Sequence, residues 1–296
     1  MFITVKWNRF MMIGMLAVVL SGVCFGILFG RSIAVSVPQE SVQVAVIMYH
    51  GLLDDSEKQN QYVIDPRYFE EDLQYLCDNG YHTIFASELI SHFEKGTPLP
   101  EKPVLLTFDD GYYNNYTLAY PLLKKYHCKA VIAPIGYAAD EAERDTPQNP
   151  AYSQCTWKQL REMAESGFVE IQNHTYNLHH IDNGRNGAKN NPGENLSDYR
   201  KMLTDDLTMF NSRMYEEIGQ YPEVIVFPFG SRSPETLKIV KEMHFKAAFD
   251  CEEKLNTFSC ADDLFYIHRF LRPNYLSSKE FFENKVDIDS ISSQTI

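Results

Sequence analysis

Short apolar runs rich in β-branched residues alternate with helical segments along most of this 296-residue chain, and this alternation restricts the fold more than any single residue does. Strands are expected at residues 42–49, 82–85, 103–108, 129–134, 168–172, 223–227, 246–249 and 264–270. Helices are expected between them. Asp65-Pro66 opens one that runs to Leu76 and ends at Asn79-Gly80, with proline at the first helical position. Others follow at 87–93, 113–126, 156–166, 195–218 and 233–243, with a short one near Ser278. Continuously apolar strands separated by helices suit a parallel sheet covered on both faces. Seven or so such units in one run favour a closed or nearly closed α/β barrel, whose reacting groups gather at the C-terminal strand ends.

The net charge of −13 argues against a nucleic-acid partner, which needs a basic patch, and against a surface that hugs anionic lipid. The first forty residues hold Lys6, Arg9, Arg31 and Glu40, so the rest of the chain is more acidic still. Residues 10–30 are uncharged and mostly apolar. About twenty residues span a bilayer core, whereas the apolar stretch of a cleaved signal is only about 7–15. The expectation is a cytoplasmic stretch at 1–9, a transmembrane signal anchor at 10–30, a linker at 31–41 and an extracytoplasmic domain at 42–296. The alternative is cleavage near Ala34-Val35-Ser36 and secretion. Five cysteines lie beyond the anchor without CxxC spacing, so a zinc-thiolate site is not indicated. Buried free thiols are the plainer reading, with Cys251 and Cys260 as the pair near enough in sequence to bridge.

Thr107-Phe108-Asp109-Asp110-Gly111 directly follows Val104-Leu105-Leu106, which places two adjacent carboxylates at the exit of a buried strand. Asn173-His174-Thr175-Tyr176-Asn177-Leu178-His179-His180 follows another apolar run in the same way. One carboxylate and two imidazoles can form a three-ligand metal site with open positions, leaving the neighbouring carboxylate free as a base. Two more segments end at the same rim: Ala45 to Gly51, which contains His50, and Phe227-Pro228-Phe229-Gly230. Adjacent Asp109 and Asp110 suit a glycosidase badly, because its two carboxyl groups must stand at least about 5 Å apart across the bond. The Asn- and Gly-rich stretch 182–195 is expected to be a mobile loop. The alternating charges of 199–217 are expected to form a solvated helix face.

Taken together, the Thr107–Gly111, His174–His179 and Phe227–Gly230 motifs resemble those of the polysaccharide deacetylases, carbohydrate esterase family 4 with the NodB-homology domain, over roughly residues 42–285. The resemblance implies a distorted (β/α)7-type barrel, here preceded by the N-terminal transmembrane helix. It further implies a divalent metal, Zn2+ foremost, held by Asp110, His174 and His179, with Asp109 as catalytic base. Three departures bear on this. The second histidine stands five residues after the first rather than four, an arrangement similar to the branch that de-N-acetylates poly-β-1,6-N-acetylglucosamine; His180 is the alternative ligand. The general acid is expected at His50 rather than at a C-terminal Leu-x-His, with His268 as the alternative. Val226 stands where the family commonly has the arginine that holds the base, which leaves Arg269 or Arg272 as substitutes. Tyr112, Tyr113, Tyr176 and Phe229 are candidates to stack on sugar rings. The implied substrate is an N-acetylglucosamine polymer, exopolysaccharide or peptidoglycan, and the competing reading is a non-catalytic glycan-binding relative.

Overall fold

The computed structural model describes residues 41–144, 147–182 and 184–291. The expected anchor at 10–30 lies outside the described residues, among which no helix is long and apolar enough to cross a membrane. Strand β1 (Val42–Tyr49) pairs in parallel with β2 (Pro103–Asp110), from Ala45 opposite Val104 to Tyr49 opposite Phe108. The order continues through β3 (Ala130–Pro134) and β4 (Val169–Ile171), both parallel. A bridge between Asn173 and Ile225 leads to β5 (Val224–Val226), which pairs with β6 (Ala247–Phe249). A second bridge, Phe249 to Ile267, reaches the segment ending in β7 (Phe270–Leu271), and β7 pairs in parallel with β1. Seven strands thus form a ring, distorted where only single bridges or two-residue pairings close it.

Strand parity sorts the core. Val44, Val46, Leu105, Val131, Val226 and Phe249 share one cluster inside the ring. Side chains of the opposite parity, Ile47, Tyr49, Leu106, Phe108, Ile132 and Ile171, belong to the layer beneath the helices. The helices are α1 (Pro66–Asp78), α2 (Ala86–Lys95), α3 (Tyr120–Tyr126), α4 (Gly136–Ala142), α5 (Trp157–Glu165), α6 (Leu196–Ile218) and α7 (Pro234–Glu242). Leu89 and Ile90 of α2 join the interior cluster, so that helix closes the N-terminal end of the barrel. Each large apolar side chain buried this way contributes about 1.5–3 kcal/mol.

Several expectations need correction. His82–Thr83 pairs only with the start of β2, opposite Pro103, and is not a stave of the ring. The expected final strand breaks into a 3-10 turn, Ala261–Tyr266, where Asp263 accepts from the Ser259 and Cys260 amides. The helix expected at 113–126 enters through a wide π turn, Asn115–Ala119, which seats the buried Asn115 amide 2.7 Å from the His50 carbonyl. Residues 184–195 are tied to the fold by hydrogen bonds. Arg185 pairs with Glu194, and the Tyr199 hydroxyl donates to the buried Ala188 carbonyl at 2.8 Å. The five described cysteines are free thiols; Cys77 and Cys128 approach to 3.8 Å, while Cys260 is exposed and Cys251 faces Arg269.

One buried ion pair joins the two ends of the barrel sequence. Arg272 donates to both Asp72 oxygens, at 2.8 and 3.0 Å, and the Tyr49 hydroxyl donates to the same carboxylate at 2.9 Å. Asp72 is wholly buried and Arg272 nearly so. Removing one partner strands the other charge in the core, so Arg272→Met is expected to lower unfolding free energy by about 3–5 kcal/mol. The double variant Asp72→Leu/Arg272→Met should recover most of that loss in urea denaturation, because it leaves neither charge buried.

Candidate active site

The rim of the barrel inherits its geometry from strand parity. In β2, Leu105, Thr107 and Asp109 point inward in turn, so Asp109 stands at the top of the interior. By the same parity Asp110 would point out under the helices. It does not, because its φ is 70°, in the left-handed region where a residue with a Cβ is strained. That single dihedral turns Asp110 back over the mouth. Gly111 follows at φ 74°, and a Cβ there would lie 2.6 Å from Pro134 Cβ, so only glycine fits. Thr175 and Phe229, at the ends of two other strands, also have positive φ, 69° and 58°.

Asp109 is held by Arg269. The guanidinium donates to both carboxylate oxygens, Nη1 to Oδ1 at 2.7 Å and Nη2 to Oδ2 at 2.8 Å, with both side chains buried. Nε donates to the Asp250 carbonyl at 2.8 Å, and Nη1 also reaches the Thr107 hydroxyl at 3.2 Å. Burial pushes the Asp109 pKa up, but the Arg269 charge, aided by His174, outweighs it and holds the carboxyl well below the ordinary range. Arg269 therefore fills the place left by Val226. Arg272, the other substitute considered, is committed to Asp72.

Asp110 has a different environment. Its Oδ1 lies 3.5 Å from His174 Nε2 and 3.3 Å from His179 Nε2, and the three donor atoms lie within 4.8 Å of one another. His174 Nδ1 lies 2.7 Å from the Val226 carbonyl, so that nitrogen carries the proton and Nε2 turns a lone pair toward Asp110. Asp110 Oδ1 is buried without a hydrogen-bond partner among the described residues. Lone pairs converging on a common point are what a cation satisfies. With bonds of about 2.1 Å and tetrahedral angles, ligand atoms stand roughly 3.4 Å apart, which matches both contacts. Burial works against a charged His174, yet Asp110 and Asp109 outweigh it and raise its pKa, so the pocket favours positive charge here. Burial, with His174 beside it, lowers the pKa of His179.

These groups line one cleft of about 450 Å³, shared by His50, Tyr62, Tyr112, Phe229, Cys251 and Glu253. His50 stands at the β1 exit with its ring 5.0 Å from that of Tyr62 and its Nδ1 buried without a partner among the described residues. Burial lowers its pKa, against the opposing pull of Asp109 and Asp110. His268 lies elsewhere, with Nδ1 3.0 Å from Asp250, and His180 is exposed beside a different depression. Of the four aromatic candidates, Tyr112 and Phe229 line the cleft. Tyr176 instead donates to Asp140 and Tyr113 stacks on Tyr116. Tyr62, which sequence reasoning missed, takes their place from a loop without strand or helix periodicity. A second acidic group, Asp250, Glu252 and His268, also has metal-ligand spacing. Its Asp250 is already taken by Arg232 at 2.5 Å and by the Glu252 amide at 3.0 Å, so it reads as an ion-pair network.

An α/β barrel with an Asp–His–His cluster beside an ionised aspartate at its mouth defines a class of hydrolase scaffold, and the comparisons agree. The sequence profile described as polysaccharide deacetylase matches residues 96–248, and the chain belongs to that family. The chain is 29% identical over 269 residues to the poly-beta-1,6-N-acetyl-D-glucosamine N-deacetylase of Escherichia coli, covering 84% of this chain and 39% of that protein. It is 25% identical to the enzyme of the same description from Staphylococcus aureus, covering 78% of this chain and 73% of the other. Among solved structures, a de-N-acetylase from Aggregatibacter actinomycetemcomitans superposes with a TM-score of 0.68 at 29% identity, over 79% of this chain and 97% of that one. The chain thus spans well under half the length of the E. coli relative.

The Asp109–Arg269 pair carries a pH signature. The folded-state pKa of Asp109 is depressed, so its contribution to stability is present above the unfolded value near about 4 and is lost as pH falls through the folded value. In Arg269→Met the guanidinium no longer opposes burial, only His174 and His50 do, and the Asp109 pKa rises, so much of that contribution is lost. The gap in urea-derived stability between wild type and Arg269→Met is expected to widen from pH 4 to pH 7, reaching about 3–5 kcal/mol.

Proposed function

We propose that this chain is a divalent-metal-dependent de-N-acetylase of an N-acetylglucosamine polymer, with a β-1,6-linked exopolysaccharide as the favoured substrate. The observation that carries this reading is the convergence of Asp110, His174 and His179 to 3.3–3.5 Å contacts beside an Asp109 kept ionised by Arg269. The five-residue histidine spacing and the names of the relatives support the choice of polymer. Peptidoglycan is the second candidate.

Asp110, His174 and His179 would hold the ion, with Zn2+ preferred by two imidazoles and a carboxylate. A divalent cation bound there supplies Lewis acidity for an acetamide carbonyl and lowers the pKa of water. Asp109 accepts the proton from the attacking water. It is a weak base, so it suits an acidified water and needs the fixed orientation that Arg269 provides. A backbone N–H near Phe229 is the candidate donor to the oxyanion. His50 protonates the departing amine, which cannot leave as an amide anion at neutral pH. Burial lowers the His50 pKa, so an imidazolium formed there gives up its proton readily. Acetate and a free amino sugar result. Tyr62 and Phe229, both partly exposed at the mouth, offer apolar faces to the sugar rings.

The apolar run at 10–30 supports placing the domain outside a membrane that anchors it, where either polymer would be within reach. The altered third motif motivates the competing non-catalytic reading, but Arg269 supplies the guanidinium that Val226 lacks, which favours turnover.

Acetate release from an acetylated β-1,6-glucosamine oligomer, with a peptidoglycan fragment in parallel, tests the proposal. Chelation should abolish release and a divalent metal should restore it; metal bound without acetate from any substrate would favour the binding module. Asp109→Asn should retain metal and lose turnover by about 10²–10⁴-fold, as expected for a general base. His174→Ala should lose the metal itself. His50→Ala should reduce turnover with metal content unchanged, whereas His268→Ala should leave both near wild type.

A further inference from the structure

Two ligands four residues apart can share one helix face, with their backbone groups bonded inside the helix. The five-residue interval from His174 to His179 has no such support. Thr175 at φ 69° breaks helical geometry at once, and the loop's amides and carbonyls must find partners outside it. The Asn173 side chain accepts from the Thr175 amide at 2.6 Å, and the Thr175 hydroxyl accepts from the Leu178 amide at 3.2 Å. The Thr175 and Tyr176 carbonyls accept from the first two amides of α4, Gly136 at 3.1 Å and Tyr137 at 2.8 Å. The two central amides, Tyr176 and Asn177, both donate to one side chain. Asp206, from the middle of α6, accepts them on separate oxygens, Oδ1 and Oδ2, each at 2.8 Å. Five residues further along the same helix, Asn211 Oδ1 accepts from the Asn173 side-chain amide at 2.8 Å.

We propose that Asp206 is a positioning residue for the metal centre. Its carboxylate clamps the centre of the loop between His174 and His179 and sets the separation of the two imidazoles. This inference rests on the reading of those histidines as ligands. The geometry favours a carboxylate for two reasons. Two successive N–H groups need two acceptor oxygens diverging from one carbon, and bonds to an ionised acceptor are roughly twice as strong as neutral ones. An asparagine offers one oxygen and turns N–H groups toward an N–H. An alanine leaves both central amides to water and frees the loop. The adjacent Asp205 is a built-in control: it is exposed, and its ion-pair partner among the described residues is Lys201, on the solvent side of the helix.

The experiment titrates the purified apo-protein with Zn2+ against a chelating dye and records the visible absorption of the Co2+-loaded protein, which reports coordination geometry independently of turnover. Asp206→Ala should weaken Zn2+ binding about 10–100-fold, the usual effect of losing a group that orients ligands, and should alter the Co2+ bands. Asp206→Asn should fall between, and it carries the test if the alanine variant does not fold. Asp205→Ala should match wild type in both readouts. Wild-type protein that binds neither ion would remove the ligand assignment, and this inference with it. Tight wild-type binding matched by both Asp206 variants in affinity and spectrum would overturn the clamp alone.

Discussion

The closing of the ring between β7 and β1 is the constraint from which the rest of the site follows. It brings Arg269 across 160 positions of sequence to grip Asp109 with two parallel hydrogen bonds. Neither side chain tolerates its burial alone. An unpaired carboxylate at this depth would take up a proton, and an unpaired guanidinium would draw in water or unfold the rim. The pair therefore stabilises the last, two-residue seam of the barrel and keeps a negative charge fixed at the mouth.

Adjacent aspartates then receive opposite environments. Asp109 has its oxygens filled by Arg269, whereas Asp110, swung over by its left-handed backbone, faces two imidazole nitrogens with an oxygen left unsatisfied. The first arrangement is electrostatically complete and the second asks for a cation. Thr175 shows the same strained backbone on the histidine side, where α4 and α6 hold the loop from its acceptor and donor faces. Strain at a rim persists only when the surroundings over-determine it, and here strand pairing, helix termini and buried side chains all do so.

Much of this was readable from residues alone. The α/β alternation and the strand-exit positions of Asp109, Asp110, His174, His179 and His50 follow from local apolar runs that end in polar residues. The seams of the ring were harder. The segment around Leu264 looks like a strand, but Asp263 caps a turn there, and only Ile267 and β7 remain paired. Arg269 over Arg272 could be chosen only once closure showed which guanidinium faces the interior. The alternating charges of α6 suggested a solvated face. That reading fits Lys201 and Asp205 but not Asp206, nor Arg213, which pairs with Asp140. A helix pattern gives the period of burial but not the identity of a polar partner on another segment. In the stretch 184–195 low apolar content suggests mobility, whereas polar contacts that apolar patterning does not reveal join Arg185 to Glu194 and the Ala188 carbonyl to Tyr199.

The chemistry proposed for this polysaccharide deacetylase family member depends on one ion shared by three side chains. Anomalous diffraction from crystals of the purified domain soaked in Zn2+ or Co2+ addresses that point most directly. The account predicts a single strong peak about 2.1 Å from Asp110 and from the Nε2 atoms of both His174 and His179. A peak at Asp250, Glu252 and His268 instead, or no peak within bonding distance of Asp110, would contradict it.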